Sequence, residues 1–433
     1  MYFLYSALLA AGLLLSLPYW LVQMLRHGKY GAALRERLGR PPARLYSLNR
    51  PVIWVHAVSV GEVLAVSTLV AELKAHFLEY SVVISTTTNT GQKLASSRFG
   101  ADSVFYFPLD FQFAIRPYLD ILNPKLIVIA ETEFWPNFLR MAHNSGSRVA
   151  IVNARISDRS LRGYRRFRFL LRRILRSVDV FLAQTEEAAR RLADLGVKAD
   201  KIQVTGNLKF DVPTPPIPAI VASLQASFQV SGSGPVIVAG STMDGEETLL
   251  LRAFENVLAS HKRAVLLLAP RHPERFATVA ALLEQLRIRF WRRSLWGGEP
   301  LGGSVLLVDT IGELAALYSL ADIAFVGGSL VPRGGHNIIE PAQHGVAILV
   351  GNHTENFRDV VGLFQSRDAL RVVGPAELPL VLIELIENDN ERRALGRRAG
   401  ETFQSQSGAA QRTIEALEKL IPLSGEHQGV GRQ

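Results

Sequence analysis

Pro51-Val52-Ile53-Trp54-Val55-His56-Ala57-Val58-Ser59-Val60-Gly61-Glu62 is a β-branched apolar run that ends at a glycine and a carboxylate. It reads as a strand buried on both faces, Pro51–Ala57, with Gly61 allowing a tight turn and Glu62 opening a helix. Near-continuous Val and Ile is the pattern of a parallel sheet covered by helices on both sides. The same unit recurs downstream. Val82–Thr86, Val104–Phe107, Leu126–Ala130, Val149–Val152 and Val178–Ala183 read as further strands. Between them lie helical patterns at Glu62–Phe77, Leu161–Arg176 and Thr185–Leu195. Strands alternating with helices predict βαβ units and a doubly wound α/β domain.

A Pro/Gly/Ser-rich break at residues 212–234 interrupts the pattern and predicts a linker region with one helix. The alternation resumes at Pro235–Ala239, Ala264–Ala269, Ser304–Val308, Ile323–Val326 and Val346–Val350. The expected organisation is an apolar N-terminal segment (1–25), a first Rossmann-like domain (26–211), the linker region (212–234) and a second Rossmann-like domain (235–433). Two such domains in tandem are expected to face each other across a cleft, ligands sitting at the strand ends.

The 433 residues contain no cysteine, which excludes disulfides, zinc-thiolate sites and thiol nucleophiles. The net charge of +9 is uneven: residues 1–211 hold 28 Lys/Arg against 16 Asp/Glu, and residues 212–433 hold 20 against 23. A basic half seeks a polyanion, whether nucleic acid, anionic lipid or a phosphorylated acceptor. Met1 to Leu25 carry no formal charge. At about 1.5 Å per residue this stretch can span or deeply enter a bilayer core of about 30 Å. No Lys or Arg precedes Arg26, and Pro18-Tyr19-Trp20 stands where a signal peptide would be cleaved. A membrane anchor is therefore expected, a buried core helix being the alternative. Arg26, Lys29, Arg35, Arg37 and Arg40 after it predict that the rest of the chain stays on the cytoplasmic side. Arg162, Arg165, Arg166, Arg168, Arg172, Arg173 and Arg176, interleaved with Tyr164, Phe167, Phe169, Leu170 and Leu171, read as a basic amphipathic helix for an anionic membrane surface.

Chemistry-bearing residues gather at the strand ends. On position alone, Glu62 is either a general base or a favourable charge at a helix start. Glu131-Thr132-Glu133-Phe134-Trp135-Pro136 follows another strand, and its carboxylates either orient a substrate or cap the next helix. Lys209 closes the first domain, where it can meet a carboxylate or a phosphate. In the second domain, Pro270-Arg271 places a guanidinium at a strand end. Gly327-Gly328-Ser329 and Gly334-Gly335-His336-Asn337-Ile338-Ile339-Glu340 form glycine-rich turns. A helix beginning near Asn337 would aim backbone N–H groups at an anion, with Glu340 at ribose distance. No Walker A, His-Glu-x-x-His, Gly-x-Ser-x-Gly or Asp-x-Asp pattern occurs.

In this order, from the apolar N-terminus through Asn356-Phe357, the motifs resemble those of the 3-deoxy-D-manno-oct-2-ulosonic acid (Kdo) transferases of lipopolysaccharide assembly. The resemblance implies a GT-B fold, an inverting transfer from CMP-Kdo to the lipid A precursor lipid IVA, and an inner-membrane location with the catalytic domains cytoplasmic. It implies Glu62 as base, with Glu131 and Lys209 stabilising the transition state. It assigns CMP to Pro270-Arg271, Ile311-Gly312-Glu313 and Asn337-Ile338-Ile339-Glu340. No cofactor, catalytic metal or nucleic-acid partner is expected. The rival readings are another GT-B membrane transferase, a nucleotide-sugar epimerase, and a nucleic-acid binder using the basic half.

Overall fold

Among the described residues, fourteen strands form two sheets of seven, and every strand pairing is parallel. The computed structural model describes residues 2–27, 33–211 and 218–421. The first sheet comprises β1 (Val52–His56), β2 (Ser81–Thr86), β3 (Val104–Tyr106), β4 (Pro124–Ala130), β5 (Arg148–Ala154), β6 (Val180–Ala183) and β7 (Ile202–Val204), in the order β3-β2-β1-β4-β5-β6-β7. The second comprises β8 (Val236–Thr242), β9 (Val265–Pro270), β10 (Phe290–Arg292), β11 (Ser304–Leu307), β12 (Ile323–Val326), β13 (Ala347–Val350) and β14 (Arg371–Val372), in the order β10-β11-β9-β8-β12-β13-β14. Each sheet reverses its winding once, between β1 and β4 and between β8 and β12. In open α/β sheets that reversal leaves a crevice at the strand C-termini, where ligands bind.

The apolar runs become strands because helices cover both faces and leave no position for a polar alternate. All five residues of β1 and all six of β9 are buried. β7, β10 and β14 were not expected from the sequence. They are edge strands with no fully buried residue, so they lack the apolar run by which their neighbours are recognised.

The chain divides into one unit running to Asp211 and resuming at Ser407, and a second spanning Val212–Gln406. The break after Asp211 matches the expected domain end. The assignment of everything after 235 to the second domain does not hold for the last helix, Ala409–Glu418. Its Ala410, Ile414 and Leu417 share a core with Val66, Leu69 and Leu73 of the first unit. Asp211 fixes this return, its carboxylate accepting the N–H groups of Gly408 (2.6 Å) and Ala410. The helix expected in the linker region is Ala219–Ser231. It packs Ile220, Leu224 and Phe228 into the second unit's core and ends on left-handed Gly232. Val212 to Pro216, the expected start of the linker, lie outside the described residues, as does Lys29.

Two long helical expectations are broken in the structure. Glu62–Phe77 is Val60–Ala65 and Ser67–His76, and Gly61 lies inside the first of these rather than in a turn. Leu161–Arg176 is Asp158–Arg166 and Arg168–Leu175, separated at Phe167 (φ −112°, ψ 25°).

The uncharged N-terminus is a helix, Tyr2–His27. Among the described residues no helix is long and apolar enough to cross a membrane. One face of this helix is tied to the first unit: Ser6 Oγ accepts from Asn137 Nδ2 (3.0 Å), and Arg140 lies over the Tyr2 ring. Phe3, Leu4, Leu8, Leu14 and Leu15, spaced along one stripe of the helix, are exposed.

Candidate functional site

The first unit concentrates carboxylates where its sheet reverses. Glu62 lies in the first turn of the helix after β1 and is 7 % exposed. Its Oε2 accepts the Val58 N–H (2.8 Å) and its Oε1 the Ser59 hydroxyl (3.0 Å). Burial pushes its carboxyl up to about 7; the Val58 and Ser59 hydrogen bonds oppose the rise, and the charges of Glu131 and Glu133 add to it.

Glu131 follows β4, the neighbour of β1 across the reversal. Its backbone is left-handed, φ 57°, a conformation that costs a non-glycine residue about 1–2 kcal/mol. The neighbouring structure holds it there. Its N–H donates to Val152 O (2.9 Å), Arg155 Nε meets its Oε2 at 3.1 Å, and Lys209 Nζ approaches its Oε1 at 3.9 Å. Lys209 is placed by Asn207, whose Oδ1 accepts the Lys209 N–H (3.0 Å), and by Asn153, whose Oδ1 accepts the Leu208 N–H (3.0 Å). Three residues read separately from the sequence thus meet in one unit: Glu62 and Glu131 electrostatically, Glu131 and Lys209 as an ion pair. Glu133 joins them. Its carboxyl is raised by burial and then by Glu131, and the Tyr164 hydroxyl is raised by burial and then by the charge of Glu133. Among the described residues neither Glu62 nor Glu133 has a salt bridge. The arrangement is one ion-paired carboxylate beside two desolvated ones, of which Glu62 is poised to take up a proton near neutrality.

In the second unit Arg271 follows β9, its N–H donating to Thr242 O (2.9 Å), and its side chain is exposed. His336 is held down to about 4 by burial and then by the charges of Arg271 and His272. Burial raises the Glu340 carboxyl, while Asn337 and Arg271 act to lower it. Asn337 Nδ2 donates to Glu340 Oε1 at 3.3 Å. Arg271, His336, Asn337 and Glu340 therefore form one electrostatic group. The helix expected near Asn337 begins only at Ile339 and has five residues; Ile338 and Ile339 are buried beneath the site, pointing away from solvent. Ile311 is exposed, Gly312 has φ 88°, and Glu313 pairs with Arg293 (2.7 Å).

The other glycine turn departs from expectation. The N–H groups of Gly328, Ser329 and Leu330 are taken by the carboxylate of Glu246, so they are not open to an external anion. All seven candidate membrane arginines are exposed, but Arg165 pairs with Asp194 (2.7 Å) and Arg172 packs along Gly196.

Residues 32–212 match the family described as 3-deoxy-D-manno-octulosonic-acid transferase (kdotransferase). The chain is 36% identical over 374 residues to the 3-deoxy-D-manno-octulosonic acid transferase of Haemophilus influenzae, covering 85% of this chain and 87% of the relative. The chain belongs to the Kdo transferase family. The enzyme of the same name from Bordetella pertussis is 35% identical over 413 residues, covering 91% of this chain and 93% of its own length. Among solved structures, the UDP-GlcNAc 2-epimerase of Neisseria meningitidis aligns with a TM-score of 0.53 and 14% identity, covering 85% of this chain and all of that one. At that identity the likeness shows the fold alone. This Kdo transferase family member is thus a glycosyltransferase with a GT-B-like fold.

Sequence reading missed Arg155, Arg293 and Glu246. The first two partner carboxylates 24 and 20 residues away and carry no local signature. Arg155 does stand directly after β5, and the rule that drew attention to other strand ends reaches it too.

Proposed function

We propose that the chain transfers Kdo from CMP-Kdo to a hydroxyl of the lipid A precursor lipid IVA, with inversion, on the cytoplasmic face of the inner membrane. The observation that carries the reading is Glu62: a buried carboxylate raised to about 7 at the sheet reversal of a Kdo transferase family member. The acceptor hydroxyl gives its proton to Glu62 as its oxygen bonds the anomeric carbon. The bond from that carbon to the phosphate oxygen breaks, and its electron pair leaves with CMP. Lys209, with Arg155, keeps Glu131 in place and offsets the carboxylate charge. Arg271 meets the leaving phosphate and Glu340 the ribose. The deciding assay combines purified protein, CMP-Kdo and lipid IVA. A product heavier by one or more Kdo residues supports the reading, and an unmodified lipid overturns it.

No Asp-x-Asp pair is present, and a guanidinium is available for the phosphate. Turnover should therefore persist in EDTA; loss of activity restored by magnesium would refute the metal-free mechanism.

Membrane association is part of the proposal. Its supports are the outward apolar stripe from Phe3 to Leu15, a groove of about 610 Å³ lined by Tyr2, Phe3, Phe111, Phe113, Arg116 and Arg140, and exposed Phe167 and Phe169 among the arginines. Arg166, Arg168 and Arg173 are exposed, and none of them has a salt bridge among the described residues. Reversing these three to Glu should cost about 1 kcal/mol per charge in binding to anionic vesicles, measured by co-sedimentation. CMP affinity should not change. Undiminished vesicle binding would make these arginines a solvated face.

A further inference from the structure

We propose that Glu246 is a positioning residue that builds the donor loop from beneath; the inference rests on the reading that the second unit holds the nucleotide. Glu246 opens the helix Glu246–Ser260 after β8 and is fully buried. Its Oε2 accepts the N–H groups of Met243 (2.8 Å) and Gly328 (2.7 Å). Its Oε1 accepts those of Ser329 (2.9 Å) and Leu330 (2.8 Å). An ionised carboxylate offers about four acceptor positions, and here all are filled by backbone donors. A buried charge is tolerated only when hydrogen-bonded in this way. The turn after β12 is therefore shaped around an anion the protein carries itself.

That shape is transmitted to the residues assigned to CMP. Gly328, left-handed at φ 70°, accepts the Gly335 N–H through its carbonyl (2.7 Å). A Cβ at Gly328 would come within 2.8 Å of the His336 ring, so the ring rests directly on the turn. Gly334 O in turn accepts the Asn356 N–H (2.9 Å). The far side is fixed by Ser329, whose hydroxyl donates to Val326 O (2.6 Å) and accepts the Gly351 N–H (2.8 Å). Glu246 thus lies under a contact chain running through Gly328 to Gly335 and His336, next to Asn337 and Glu340. It touches no donor atom itself.

A residue acting this way changes the fraction of molecules with a competent loop. Apparent donor affinity falls by that fraction, and saturating donor restores the loop. Replacing the acid by Gln turns an NH₂ toward two N–H donors and removes the charge that strengthens the remaining bonds. The test uses the full chain as wild type, Glu246→Gln and Glu246→Asp. In ligand-free protein, amide hydrogen exchange over residues 328–340 should rise by about tenfold or more in the Gln variant, with a cooperative melt retained. CMP affinity by calorimetry and KM for CMP-Kdo should each worsen by about tenfold, while kcat at saturating donor stays within about threefold. The Asp variant, too short to reach all four donors, should fall between. Unchanged exchange, affinity and KM would reduce Glu246 to a packing role and overturn the proposal. A proportional loss of kcat would overturn it as well. Should the Gln variant not fold, the Asp variant carries the same measurements. The wild type alone also decides one point: the amides of Gly328, Ser329 and Leu330 must exchange slowly before CMP is added and stay unchanged after. Fast exchange slowed by CMP would mean the turn faces the donor. Failure of the wild type to bind CMP would bring down the donor reading itself, leaving the exchange comparison to decide what Glu246 holds.

Discussion

Glu62→Gln is expected to lower transfer by about 10²–10⁴-fold while leaving CMP affinity, vesicle binding and the fold intact. A sugar hydroxyl is a poor nucleophile at neutral pH, so removing its proton in the transition state matters by that much. The structure sharpens the prediction through pH. With the Glu62 carboxyl raised to about 7, the wild-type rate should climb through that pH and level off above it. The residual rate of the Gln variant should lack this step. Stability separates the alternative role. A carboxyl that titrates at about 7 when folded, against its ordinary 4.5, keeps a proton in the native state that the unfolded chain has released. Stability is therefore lost as pH rises from about 4.5 to about 7, and the charged form is a burden at pH 8. The Gln variant should melt no lower than wild type there. If it melts lower at pH 8 and still transfers Kdo at close to the normal rate, Glu62 serves the helix and the base is Glu131 or Glu133.

If the proposed transfer holds, Arg271→Ala should cost about 10²–10³-fold, because it would remove the fixed donor to a leaving group that gains charge as the bond breaks. His336 cannot replace it. Held down to about 4, it is neutral at working pH, so the fixed positive charge of this group is that of Arg271. CMP affinity should fall by about tenfold or more, since a hydrogen bond to a charged group is worth about 1.5–3 kcal/mol. Arg271→Lys keeps the charge but not the planar fork and should recover only part of both losses. Calorimetry with CMP beside single-turnover transfer makes the comparison. A full-rate Ala variant with undiminished CMP binding would place the nucleotide elsewhere.

Much of this was legible in the sequence, for reasons that differ by residue. The central strands announce themselves because burial on both faces demands consecutive apolar residues, as in Val52–Val55 and Val265–Leu268. Edge strands such as Phe290–Arg292 meet no such demand. Glu62, Glu131 and Arg271 stand out in the sequence because they lie just past strands, where a parallel sheet presents its ligands. What the residues bind within the protein was not legible. Gly327-Gly328-Ser329 has the composition of an open anion site, yet its amides hold Glu246, 82 to 84 residues earlier. The arginine stretch looked like one helix lacking acids, but Phe167 breaks it and Asp194 reaches across to Arg165. Periodicity records what faces the core, and it is silent about partners distant in the chain.

The return of Ala409–Glu418 to the first unit bears on how the chain is made. Ribosomal synthesis proceeds from the N-terminus, and the surface formed by Val66, Leu69 and Leu73 belongs to a unit whose covering helix Ala409–Glu418 is translated only after the whole second unit. At about 5–20 residues per second, the roughly two hundred intervening residues take about 10–40 s to appear. Throughout that interval the second unit can complete its sheet, while the nascent first unit shows an apolar patch to chaperones or to neighbouring nascent chains. Asp211, already in place, waits to receive the Gly408 and Ala410 amides. The half made first is therefore the half finished last.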